Sequence, residues 1–403
     1  MIRLYQYIVG CRKRDNICSR QMILSIYFMI QARGHQNQIR RIQINLNQQL
    51  SFYQKIKLNY FKIKMINDLM QKVQEVSQID EQKIKNALQF VIGSLKKIKF
   101  QDTEWPSVKF HSFGSQGNGF GTSSSDIDIS LMTDHYTPEV PGLSFIFKNL
   151  RQITDNQCKM VFIRDARIPF ITITYKGQDV DIIMNNLLGI INTKLLKSYS
   201  LLHEKVKAGG ILLKLWGKKN KVIDKPLISS YALILMWLCF LQRKYDLPDL
   251  QDQKYISTLE YKNEDDYMLT VRRKVREDDE CFKTDPRFIY YKEPLFKELQ
   301  QKCQNLNNVK IEQLLQQFWQ YYSFDGEYFQ AKQKISIHIQ ENQYTQQFNI
   351  DTNMDQDNYL AIIDPFDHKH NPGKQLKEEV QRALFMRFKE ASERNIQQIY
   401  QLF

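Results

Sequence analysis

The segment FGSQGNGFGTSSSDIDIS, Phe113 to Ser130, constrains this chain more than any other, because it sets a glycine-rich turn directly ahead of two carboxylates spaced i, i+2. In DIDISLM, Asp126 and Asp128 alternate with Ile127 and Ile129, so a strand here projects both carboxylates from one face and buries the isoleucines behind them. Glycines 114, 117, 119 and 121 are expected to turn the backbone with positive φ and to let it approach a ligand without a Cβ in the way. The backbone amides and the Ser115 hydroxyl are then donors for phosphate oxygens. A second strand-like segment, DVDIIMNN from Asp179 to Asn186, adds a third carboxylate, Asp179 or Asp181, which alternation puts on the same strand face.

Carboxylates are hard oxygen ligands for divalent cations. A nucleoside triphosphate needs such ions to screen its charge while they bridge the attacking and leaving oxygens of α-phosphoryl transfer. The combination outlines a nucleotidyl-transfer centre. A lone Gly-Ser turn or a lone DxD pair is common in surface loops; their co-occurrence in this order, with VDIIMNN following, carries the reading. No GxxxxGK[ST] occurs, so a Walker-type loop is excluded.

The succession GS, DID, VDIIMNN, INT, SSYALILMW and DPFDHKHN resembles the non-canonical poly(A) polymerase and terminal uridylyltransferase group of the DNA polymerase β-like nucleotidyltransferases, over roughly residues 55–403. The resemblance implies an α+β fold: a polymerase β-like nucleotidyltransferase lobe, with a mixed, twisted sheet backed by helices and the carboxylates at its open edge. A mostly helical central lobe containing the poly(A)-polymerase-associated segment joins it. The family pattern also favours Asp181 over Asp179, because DI followed by NN matches it. Asp126, Asp128 and Asp181 are then the catalytic and metal-binding residues, for two Mg²⁺ ions, with Mn²⁺ as the alternative metal.

The nucleotide contacts follow from the same resemblance. Gly114 and Ser115 form the phosphate turn, Asn192 and Thr193 in INTKLL recognise the ribose, and Lys214 and Lys218 contact the triphosphate. Ser230 lies near the phosphates, Tyr231 stacks on the base, and Asp364, Asp367 and His370 in IIDPFDHKHNPGK lie over the base. A histidine where His370 falls implies UTP, since uracil presents an O4 acceptor where adenine presents an N6 donor, and the imidazole crowds out a purine. Two departures bear on base selectivity: Asp367 stands where the family has Glu, and His368 replaces an apolar residue. Without the resemblance, the Lys214/Lys218 pair is a solvated helix face, Tyr231 a core residue and His370 an exposed loop side chain.

The expected activity is template-independent addition of UMP from UTP to RNA 3' ends, with an ATP-using non-canonical poly(A) polymerase as the runner-up. Two further rivals are a nucleotide second-messenger synthetase and an inactive RNA-binding scaffold, against which the three carboxylates count. A formal net charge of +13 over 403 residues favours a polyanionic partner such as RNA. The catalytic unit is expected to be monomeric.

Four regions are expected. Residues 1–55 form a basic arm, read as a transit peptide, an RNA-touching segment or a mispredicted gene start; 56–103 hold two amphipathic helices that join the central lobe. The catalytic domain runs over 104–199, with strands at 108–113, 126–132, 159–164, 168–175 and 178–184 and a helix near 143–153. Residues 200–403 form the helical domain, with the poly(A)-polymerase-associated segment at about 311–373. Within it the polar stretch 250–310 carries the charge run VRRKVREDDE, a solvated face or the docking site of a protein partner. The apolar run Ile228 to Leu241 has the length of a core helix, too short for a membrane span. Six cysteines without a CxxC pair read as reduced thiols, with no zinc site. A cytoplasmic location is expected, with mitochondrial or nuclear alternatives.

Overall fold

The computed structural model describes residues 69–403 except 79, 101–106, 135–137, 167, 224–227, 260–266, 276–277, 329–334, 336–359, 361, 369, 374–377, 395–398 and 400. The expectations for 1–68 lie outside the described residues. Five strands, β1 (Val108–Phe113), β2 (Ile127–Thr133), β3 (Lys159–Ile163), β4 (Phe170–Tyr175) and β5 (Gln178–Met184), make one sheet in the order β1-β2-β5-β4-β3. The β2–β5 pair is parallel and the others are antiparallel.

A two-residue turn sets the register of the β4–β5 hairpin. Lys176 and Gly177 both have positive φ, 48° and 75°, the mirror-image turn whose twist suits adjoining strands. It pairs Thr174 with Asp179 and Thr172 with Asp181. Parallel pairing of β2 with β5 then sets Asp128 beside Asp181 and Ile127 beside Val180. Since side chains alternate, the aspartates share one face, while Ile127, Ile129, Val180 and Ile182 are buried on the other. Helices α1 (Glu81–Leu95) and α2 (Glu139–Thr154) cover that apolar face through Ala87, Val91, Leu143, Ile146 and Leu150. The carboxylates are therefore not at an open edge of the sheet as expected. Asp128 and Asp181 stand on β2 and β5, the second and third of five strands, with Asp126 just ahead of β2, where parallel pairing brings two acidic strands side by side.

The NN pair ending VDIIMNN turns the chain into helix α3 (Leu187–Leu202). Asn185 takes the left-handed conformation at φ 51° and its Oδ1 accepts from the Thr133 amide. Asn186 caps α3 by accepting from the Gly189 amide, a role suited to its short amide side chain.

Helices α4 (Glu204–Lys219) and α5 (Ser230–Tyr245) pack closely because a Cβ at Gly209 would collide with the Trp237 ring. Every residue of α5 from Ala232 to Gln242 is buried, and each large apolar side chain contributes about 1.5–3 kcal/mol when fully buried. That run is a core helix. Among the described residues, no helix is long and apolar enough to cross a membrane. After the short α6 (Gln253–Ile256), the charge run lies in an antiparallel hairpin of β6 (Leu269–Val275) and β7 (Asp278–Thr284), with Arg273 paired to Glu280 and Lys274 to Asp279. The sequence reading placed no strands there, because charge density hides the alternation. Helices α7 (Pro294–Lys302), α8 (Ile311–Tyr321) and α9 (Glu378–Ser392) complete the layer. In α8, Leu314, Leu315, Phe318 and Trp319 are fully buried, and Phe318 meets Phe388 of α9 edge to face.

Candidate active site

A cavity of about 900 Å³ opens between the aspartate face, the glycine turn and helices α3, α4 and α5. Its lining includes Gly114, Ser115, Asp126, Asp128, Asn192, Thr193, Lys214, Lys218, Ser230, Tyr231, Asp364, Asp367 and His370. Residues from five separate stretches of sequence thus face one space. Asp181 is the predicted residue outside that lining; it stands beside Asp128 on β5, and its Oδ1 accepts from the Thr172 hydroxyl at 2.7 Å.

The carboxylates are electrostatically coupled. Burial, then the neighbouring Asp181 and Asp126, push the Asp128 carboxyl up to about 7, against the pull of Lys214. Asp126 is raised by lost hydration and by Asp179, with Lys218 opposing. Asp181 is raised by burial and by Asp126 and Asp179, and lowered by its Thr172 bond. Each carboxylate makes its neighbours harder to ionise, so a cation among them relieves the repulsion. Among the described residues, no three His, Cys, Asp or Glu side chains are gathered as a ready ligand set: Asp181 is turned to Thr172, and a Cβ at Gly114 would collide with Asp128 Oδ2. Hard oxygens on two adjacent strands nevertheless fit a hard divalent ion, and the Thr172 bond uses only Oδ1 of Asp181, leaving Oδ2 for a ligand.

The glycine turn differs from expectation. Gly114 and Gly119 have positive φ, 76° and 86°, whereas Gly117 and Gly121 do not. Three of the missing Cβ atoms face protein rather than ligand: those of Gly117, Gly119 and Gly121 would meet Thr193, Ser200 and the Ser115 carbonyl. The glycines seat the turn on α3. Thr193 completes that seat, accepting from the Gly114 amide at 2.8 Å and donating to the Gly189 carbonyl at 2.7 Å. Its hydroxyl proton is already committed, which limits the ribose contact implied by the family.

Lys214 is also more deeply placed than a solvated helix lysine. It is 4% exposed and its Nζ donates to the Phe120 carbonyl at 2.7 Å. Burial and Lys218 bring its ammonium down to about 8, while Asp128 opposes the change. Lys218, one turn on, lines the same cavity. Ser230 opens α5, whose Ser229 cap accepts from the Ala232 amide; the first turn of a helix favours anions.

The base loop is built from inside. Asp364 Oδ1 accepts from the amides of Phe366 and Asp367, while its Oδ2 and Asn192 Oδ1 lie 3.0 and 2.8 Å from the Tyr231 hydroxyl. The Asp364 carboxyl is raised, chiefly by burial. These bonds take up Asp364 as a loop anchor and tie Tyr231, part of the cavity lining, to two elements. His370 closes the loop through backbone bonds to Asp367 and Asp364. Asn371, which sequence reasoning missed, accepts from the Ile362 and Gly373 amides. Thr284 at the end of β7 donates to the Phe366 carbonyl, so the 250–310 stretch buttresses the loop as well as carrying the charge run. Gln116, Phe120, Thr172 and Gln178 were missed too. Thr172 was legible in principle, since the Lys-Gly hairpin turn places it opposite Asp181.

Residues 47–201 match the central palm domain of the mitochondrial-like poly(A) RNA polymerase family. The chain is 32% identical over 162 residues to poly(A) RNA polymerase GLD2-A of Xenopus laevis, covering 38% of this chain and 31% of that protein. It is 31% identical over 177 residues to terminal uridylyltransferase 4 of Homo sapiens, covering 41% and 11%. The chain thus spans less than a third of the length of these relatives. A solved structure of Cid1, described as having RNA terminal uridylyl transferase activity, superposes with a TM-score of 0.60 at 23% identity, covering 82% of this chain and 93% of Cid1. The Cid1 poly(U) polymerase with Mg and 3'-dATP bound gives 0.57 at 22%, with the same coverage. The chain therefore shares the fold of Cid1.

Proposed function

We propose that this chain, whose residues 47–201 match the central palm domain of the mitochondrial-like poly(A) RNA polymerase family, adds UMP from UTP to RNA 3' ends without a template. The observation that carries the reading is the single cavity that joins Asp126 and Asp128 to the glycine turn, two lysines and the 364–370 loop. Asp126, Asp128 and Asp181 would hold the metal, Mg²⁺ with Mn²⁺ as the alternative, and when bound it neutralises the triphosphate and acidifies the acceptor hydroxyl. Ser115, the first turn of α5, Lys214 and Lys218 hold the phosphates and the departing pyrophosphate. The Tyr231 ring takes one face of the base, Asn192 contacts the ribose, and Thr193 keeps the Gly114 turn in place. The acceptor is an RNA 3' end, drawn by the chain's excess of positive charge.

His370 facing the cavity favours UTP. The ATP reading has its own support in the GLD2 relative. Purified protein, a labelled single-stranded RNA, Mg²⁺ and each nucleoside triphosphate in turn distinguish them, beside an Asp128→Ala control. UTP is expected to extend the RNA and the control to be inactive. Efficient use of ATP refutes the selectivity, and an active Asp128→Ala protein refutes the site.

A further inference from the structure

The carbonyl of Ser125, the peptide oxygen immediately before Asp126, collects two side-chain amides. Gln116 Nε2 donates to it at 2.9 Å and Gln178 Nε2 at 3.3 Å. Neither glutamine lines the nucleotide cavity, whereas Ser125 and Asp126 do. Ser125 is itself fixed, with its Oγ accepting from the Thr122 amide at 3.0 Å and its own amide donating to the Thr122 carbonyl at 2.9 Å.

The origins of the two amides give the arrangement its meaning. Gln116 follows Ser115 in the phosphate turn, and its amide also approaches the Thr122 carbonyl at 3.4 Å. Gln178 opens β5, the strand of Asp181, is 6% exposed, and donates to its neighbour Asp179's carbonyl at 3.2 Å. One oxygen therefore ties the phosphate turn, the entry to β2 and the start of β5. Asp126 precedes the first β2 residue, Ile127, and so stands at the very start of the strand. There the two amides on the Ser125 carbonyl add a constraint that holds the carboxylate at a set distance from Asp128 and Asp181. A buried carbonyl with good donors gives that constraint at little cost, whereas mobility of a ligand weakens metal binding.

We infer that Gln116 and Gln178 are positioning residues for the metal-binding carboxylates, acting through the Ser125 carbonyl. The inference rests on the nucleotidyltransferase reading above. It goes beyond that reading in assigning work to two side chains that touch neither nucleotide nor metal.

The test compares wild type with Gln116→Leu, Gln178→Leu and Gln178→Met, which loses the donor but keeps the length and adds no charge. Gln82→Leu, on the exposed face of α1, is the control. Mn²⁺ affinity is read from the loss of the free-ion electron paramagnetic resonance signal in the presence of a non-hydrolysable UTP analogue; the metal-free melting temperature and KM for UTP are measured alongside. Each clamp variant is expected to bind Mn²⁺ about ten-fold more weakly, with KM for UTP unchanged in the Gln178 variants, which lie outside the phosphate turn, and with melting close to wild type for at least Gln116→Leu, the less buried site. The control is expected to match wild type. Unaltered Mn²⁺ affinity in Gln116→Leu or in Gln178→Met overturns the inference, as does a loss seen only in proportion to lost melting temperature. Wild-type protein that neither binds Mn²⁺ nor extends RNA overturns the function itself, and this inference with it.

Discussion

Replacing Thr193 by Val separates two roles that sequence resemblance and structure assign to one hydroxyl. Valine keeps the shape, including the methyl that lies under Gly117, and removes only the oxygen that accepts from Gly114 N at 2.8 Å and donates to Gly189 O at 2.7 Å. A buried donor left unsatisfied costs about 1–3 kcal/mol. Gly114 is only partly buried, so water makes good some of the loss and the lower half of that range, about 1–1.5 kcal/mol, applies. At 1.36 kcal/mol per factor of ten, this is about a five- to thirteen-fold drop in kcat/KM. If the hydroxyl holds the turn, the drop is the same for UTP and dUTP, because the phosphates feel it and the sugar does not. If the hydroxyl reads the ribose, UTP alone suffers and discrimination against dUTP collapses. Steady-state extension of a labelled RNA with both nucleotides decides between them. A Thr193→Val protein with unchanged dUTP kinetics and impaired UTP kinetics refutes the turn-holding argument.

Three other outcomes are expected. Tyr231→Phe keeps the ring but leaves Asp364 Oδ2 without its hydroxyl; a loss of about 1–2 kcal/mol should raise KM for UTP roughly ten-fold and blunt the choice between UTP and ATP, measured in competition assays. The Asp128 carboxyl is raised to about 7, so the folded protein holds a proton there that the unfolded chain has already lost. Stability from this group is full at low pH and drains away as pH rises through about 7. Metal-free Asp128→Asn should therefore melt above wild type at pH 8 and converge with it toward pH 4, as scanning calorimetry across that pH range would show. Gly209→Ala drives a methyl into the Trp237 ring and should cost about 1–3 kcal/mol by overpacking, visible in urea unfolding, with KM for UTP unchanged.

Local alternation and turn chemistry made much of this molecule legible in advance. Asp126 and Asp128 between isoleucines can be read as one face of a strand because side-chain direction has a period of two, and the apolar run in α5 can be read as core from its length. The lysines, Tyr231 and the 364–370 loop drew their roles from resemblance, since their own sequence context was ambiguous between surface, core and site. The β6–β7 hairpin escaped notice because its residues are charged on both strands.

What the sequence by itself determined is which residues can turn, alternate and bury, since those properties belong to each side chain and its near neighbours. What only the tertiary structure decided is which long-range partners occupy the remaining hydrogen-bonding capacity. Gly114 on Thr193, Lys214 on the Phe120 carbonyl and the Gln178 amide on Ser125 are pairs far apart in the chain. No period or spacing encodes such pairs, because each arises only when strand pairing and helix packing bring distant donors and acceptors within about 3 Å.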